Sequence, residues 1–150
     1  PEQQLFDLID QTGHIDEARL ATIFEQLKPV SEEFLLGKWE GGSFDTGHPT
    51  HKLLETMKWA GKDFRNVNDV DPIVLYGKDG QREWCKDYGH ARLRLVQFRG
   101  QVSTAMVYDN FPIIDIFNYV SEDVVFGAMD NKLLPEDGTY YFYLRRIKTA

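Results

Sequence analysis

The sequence predicts a mainly β fold, an antiparallel up-and-down barrel or a sandwich, preceded by a helical N-terminal extension. Three observations predict it. Eight or so short strand-like runs, joined by turns, follow one another over residues 38–147. Ala91, Leu93 and Leu95 alternate with Arg92 and Arg94, the period of a strand with one buried and one wet face. Gly37-Lys38-Trp39-Glu40-Gly41 places a tryptophan between glycines where the strands begin. A ring at that point closes the bottom of a barrel, and the glycines let neighbouring backbone come close.

Residues 5–28 read as helical. Asp16 is an N-cap with Ile15 before it, and Leu20, Ile23, Phe24 and Leu27 recur at helical spacing. Pro29 ends that helix, and Ser31-Glu32-Glu33 opens a short second turn. Residues 38–44 form the first strand. Thr46 or Gly47 then caps one short helix with Pro49 in its first turn, carrying His51, Leu53, Leu54, Met57 and Trp59. From Lys62 onward the pattern is β, with strands over 72–76, 82–86, 91–98, 102–108, 113–119, 124–129 and 140–147. Gly77-Lys78-Asp79-Gly80 and Arg99-Gly100-Gln101 are tight turns. With no repeat or linker, residues 1–150 read as a single domain: a helical extension (1–33), the segment holding the Trp39 motif (34–65) and the remaining strands (66–150).

Composition excludes several classes. Net charge is −7 with no Lys/Arg stripe, which argues against nucleic acid as a partner. Cys85 is the single cysteine, so there is no internal disulfide and no cysteine-based metal cluster, and a reducing, cytoplasmic setting is the default. No apolar run reaches membrane-spanning length. Aromatics make up 13% of the chain, which suits a β-rich core or a lined cavity.

Beyond the Trp39 motif, Ser43-Phe44-Asp45-Thr46-Gly47-His48 and Trp59-Ala60-Gly61-Lys62-Asp63-Phe64 follow in order. So do Gly89-His90-Ala91-Arg92-Leu93-Arg94, Met106-Val107-Tyr108-Asp109, Pro112-Ile113-Ile114-Asp115, Gly127-Ala128-Met129-Asp130 and Tyr141-Phe142-Tyr143-Leu144-Arg145. This succession resembles the GXWXG-domain family, in which the motif is followed by a domain of unknown function. The resemblance implies a small barrel like those of lipocalins and fatty-acid-binding proteins, often dimeric, with lipid-like ligands. It implies no settled activity. A haem-binding barrel of the nitrobindin kind also opens with a Gly-Trp motif, but uses a histidine near the C-terminus; here none follows His90.

Several residues are candidates for a site. Trp39 either closes the barrel, stacked by Arg145 or Arg146 of the last strand, or touches ligand. His48, between Gly47 and Pro49 at a strand-to-helix turn, either meets a polar headgroup or caps the helix. His51, one turn on, reads as solvated. Asp109 and Asp115 sit among apolar residues, paired with Arg92, Arg94 or Arg99, or acting with His48 as acid and base. No nucleophile elbow or phosphate loop is present. His48 and His51 lack a convergent third ligand, so neither a metal nor another cofactor is expected. The function these features favour is non-covalent binding of a lipid or other apolar small molecule. Phe98, Tyr108, Phe111, Phe117, Tyr119 and Phe142 would line the cavity, and His48, Tyr108 and Asp109 would supply polar groups. The rival readings are an enzyme acting on a hydrophobic substrate through His48 with Asp109 or Asp115, and an interaction module with a filled interior. The many aromatics and the amphipathic helix add the expectation of a homodimer.

Overall fold

The computed structural model describes residues 1–148. It is mainly β, with ten antiparallel strands in one sheet and a few helices. The N-terminal part holds α1 (Glu2–Ile9) and α2 (Glu17–Gln26), then β1 (Lys28–Pro29) and α3 (Glu32–Leu35). The single helix expected over 5–28 is thus two. Gly13, at φ +93°, and a bridge from His14 to Asp45 interrupt it. Asp16 caps α2 as expected, its side chain accepting from the Ala18 N–H, and Ser31 caps α3.

Next come β2 (Gly37–Ser43), α4 (Pro49–Met57), β3 (Trp59–Asn66), β4 (Asp69–Tyr76) and β5 (Arg82–Trp84). A short 3-10 turn (Lys86–Tyr88) leads to β6 (Ala91–Phe98), β7 (Gln101–Tyr108), β8 (Ile113–Ser121), β9 (Val124–Asn131) and β10 (Tyr140–Arg146). Trp59 does not extend α4. Lys58 adopts a left-handed conformation at φ 60° that ends the helix, and Trp59 opens β3.

The pairings run β8-β7-β6-β4-β3-β2-β10-β9, and β9 pairs again with β8. The ladder therefore returns on itself, with β1 added at β8 and β5 at β4. Its thinnest seam is between β4 and β6, where Val70 and Ala91 make the one pair. Two cores result. Inside the circuit lie Trp39, Phe64, Leu93, Phe117, Phe142 and Leu144 with their neighbours. Outside it, Leu5, Leu8, Leu20 and Phe24 of the two helices pack on Ile116, Phe126 and Tyr141. That second core buries β8 and β9 on both faces, so their alternation is masked in sequence by outward Ile114, Ile116 and Phe126. It also covers the apolar faces of α1 and α2. Leu95 and Val102, on one face of the β6–β7 hairpin, are instead exposed. No helix among the described residues is long and apolar enough to cross a membrane.

Candidate functional site

The circuit is closed at one end and hollow toward the other. Along β10, Tyr140, Phe142, Leu144 and Arg146 share the inward face. At the Arg146 end, Trp39 is fully buried, and its indole N–H donates to the Leu35 carbonyl at 2.7 Å. The Arg146 guanidinium lies 4.3 Å from the Trp39 ring and donates to the carbonyls of Phe34 and Leu36. The ring, the guanidinium and α3 together form a plug. Toward the Tyr140 end is a cavity of about 260 Å³. Leu54 of α4, Trp59, Tyr108, Phe111, Met129 and Phe142 are among its walls, and exposed Leu53 and Leu133 stand at its rim.

One ion pair interrupts this apolar wall. Lys62 of β3 and Asp115 of β8 are both buried, with Lys62 Nζ 3.2 Å from Asp115 Oδ2. Lys62 also donates to the Pro72 carbonyl at 2.9 Å. The rings of Trp59, Tyr108 and Phe142 surround its ammonium at 5.6, 5.8 and 5.3 Å. Asp115 Oδ1 is buried and has no hydrogen-bond partner among the described residues. Burial pushes the Lys62 amine below its ordinary range, against the pull of Asp115. Burial pushes the Asp115 carboxyl up, against the pull of Lys62. The Tyr108 phenol is held well above its usual range, again chiefly by burial.

A second polar thread reaches the cavity from outside. The Tyr140 hydroxyl is 2.5 Å from Ser43 Oγ, which is 2.6 Å from His51 Nδ1. His51 is thus not merely solvated; it is half-buried at the outer end of a chain of three hydrogen-bonding groups.

Local sequence explains the placement. Gly61 has φ 150°, and a Cβ there would stand 1.9 Å from the Trp39 carbonyl oxygen. The register shifts on either side of it, and Lys62 emerges opposite Trp39 on the inner face. A Cβ on Gly41 would meet the Trp59 indole at 2.5 Å, so the bare backbone of β2 is what lets that ring lie against it.

Residues 22–80 match the family model described as GXWXG protein, and residues 89–146 match the Domain of unknown function (DUF4334). The chain belongs to the GXWXG family. Both matched segments of this GXWXG chain supply strands to the same sheet. It is similar to a protein from Thermomonospora curvata whose crystal structure superposes with a TM-score of 0.92, at 41% identity over 98% of each chain. No curated protein matches.

In this GXWXG fold the expected site residues separate. Tyr108, Phe111, Phe142 and Asp115 line the cavity. Phe117 is buried between Phe64 and Phe142 behind the wall. Phe98 points away, edge-on to Phe24 in the outer core, and Tyr119 packs on Phe34. Asp109, expected as a polar group of the cavity, does not line it; it is outward and accepts from Arg92 at 2.7 Å, the alternative reading of that residue. Asp115 pairs with none of the three arginines; Lys62 occupies that role. His48 is the N-cap of α4, its Nδ1 accepting from the Thr50 N–H at 3.1 Å, and it does not line the cavity. Burial lowers its basicity, which keeps Nδ1 free to accept. The cation on Trp39 is Arg146, since Arg145 faces outward over Tyr143. Lys62 had no signal in composition. Its one sequence cue is the period of two that links it to inward Phe64, after a glycine suited to a bulge.

Proposed function

We propose that this chain binds a small apolar molecule non-covalently inside a lipocalin-like barrel, with the Lys62–Asp115 pair holding the ligand's polar end. The observation that carries this reading is Asp115 Oδ1, without a hydrogen-bond partner among the described residues, in the wall of a mostly apolar cavity. A buried charge with an empty acceptor site is unfavourable unless something donates to it. A ligand with a hydroxyl or amide N–H does so. A cavity of about 260 Å³ sits just below the ~300–1,000 Å³ of pockets that take drug-sized ligands. The ligand is therefore compact. Leu53 and Leu133 at the rim give it an apolar path inward.

The test is native mass spectrometry of protein purified without detergent, then extraction of what is bound. The expected result is an apolar compound with one hydrogen-bonding end. Protein that carries nothing and takes up no added 2-naphthol contradicts the reading.

A second reading has its own observation. Lys62 and Asp115 are two titratable groups within hydrogen-bond reach of one point, as an acid–base site requires. If the chain is an enzyme, this pair carries the chemistry, and His48 and Asp109 do not.

A further inference from the structure

We infer that Lys62 captures apolar aldehydes as an imine, with Asp115 as proton carrier and counterion. This rests on the cavity being a ligand site and adds a covalent step for those apolar molecules that carry an aldehyde in place of a donor. Four features of the geometry support it. Lys62 is a buried primary amine at the wall of an apolar cavity. Desolvated lysines of this kind are the ones that form Schiff bases. Its carboxylate neighbour is 3.2 Å away and has a second oxygen with no partner. The rings of Trp59, Tyr108 and Phe142 offer their electron-rich faces to whatever cation stands there. A purely structural role accounts poorly for the pair, because buried ion pairs are often no more stable than apolar residues of the same volume.

The step balances within the pair. Asp115 takes a proton from the Lys62 ammonium, which leaves a neutral amine and a carboxylic acid. The amine lone pair attacks the carbonyl carbon and a C–N bond forms. The proton shed by nitrogen reaches the carbonyl oxygen, giving a carbinolamine. Asp115 then protonates the hydroxyl, the C–O bond breaks and water leaves. The product is a protonated imine on Lys62, with the Asp115 carboxylate beside it. Charge at the site is the same before and after: one cation and one carboxylate. Water is the only other product, and the apolar walls disfavour its return.

The probe is trans-cinnamaldehyde, with cinnamyl alcohol as its non-reactive counterpart. Wild-type protein is incubated with the aldehyde, reduced with cyanoborohydride and mapped by peptide mass spectrometry. The expected adduct has the mass of the aldehyde less one water plus two hydrogens, and is placed on Lys62. It should be the dominant adduct, with every exposed lysine modified less, because Lys62 alone among the described lysines faces the cavity where the aldehyde is held. Lys62→Arg keeps a cation beside Asp115 but has no primary amine, and should lose the adduct. If the alcohol saturates the wild-type cavity and Lys62 stays unmodified, or is modified no more than surface lysines, the imine is overturned and the binding site stands. If the alcohol does not bind either, the cavity reading fails, and the imine with it.

Discussion

Removing the Asp115 carboxylate alone is the sharpest perturbation of this site. At 3.2 Å and an effective dielectric near 20, the two charges attract by about 5 kcal/mol. Desolvating them costs several kcal/mol per ion, so the net contribution of the intact pair is small. Breaking it is different. Asp115→Leu leaves the Lys62 ammonium buried among three rings with the Pro72 carbonyl as its remaining acceptor. The expected loss is about 3–5 kcal/mol. At roughly 2–4 °C per kcal/mol for a domain of this size, that lowers the melting temperature by about 6–20 °C. Lys62→Met/Asp115→Leu removes both charges and should return to within about 1 kcal/mol of wild type, or exceed it. The assay is urea unfolding followed by tryptophan fluorescence for both singles and the double. Single effects that simply add, with coupling under about 0.5 kcal/mol, would refute a dry, closely coupled pair.

Other predictions follow from the same geometry. In Lys62→Met the unpaired Asp115 carboxyl is raised further, so the folded state holds a proton that the unfolded state releases. Stability of that variant relative to wild type should fall as pH rises from the ordinary carboxylate range toward neutrality; a pH-independent gap counts against it. Trp39→Ala removes a fully buried ring and the surface on which Arg146 stacks, and should lower the unfolding free energy by about 3–5 kcal/mol; an unchanged urea midpoint would show that the plug is not structural. Gly41→Ala forces a methyl into the Trp59 indole and should cost about 1–3 kcal/mol and weaken ligand binding; wild-type affinity would mean that Trp59 does not shape the cavity. His48→Ala should lower stability by about 1 kcal/mol through loss of the α4 cap, with cavity affinity unchanged.

Most strands were legible because their turns are punctuated by Gly, Pro and Asp, and because buried Ala91 and Leu93 alternate with exposed Arg92 and Arg94; β3 was not read as a strand, and Leu95, expected on the buried face of β6, is exposed. The Trp39 plug was legible from its flanking glycines, but not which arginine stacks on it. That choice depends on strand parity: Arg146 lies opposite Trp39 in register and Arg145 opposite Glu40. Asp115 stood out as an acid among β-branched residues, and Ile113, Asp115 and Phe117 do share the inner face. Its partner was hidden because β3 and β8 are not neighbours in the sheet and meet only across the interior. Lysine reads as a surface residue, and a bulge at Gly61 is needed to turn this one inward. His48 drew notice by its position at a strand-to-helix turn, where a cap satisfies the same local pattern as a ligand.

The binding claim is tested most directly by titrating 2-naphthol and naphthalene into the protein and following fluorescence. The two share a ring system and differ by one hydroxyl, the donor that Asp115 Oδ1 lacks. Both should bind saturably and one-to-one, with 2-naphthol tighter by about 1.5–3 kcal/mol, the contribution of a hydrogen bond to a charged group. Equal affinities would remove Asp115 from the site, and no binding of either compound to folded protein would contradict the cavity as a ligand site.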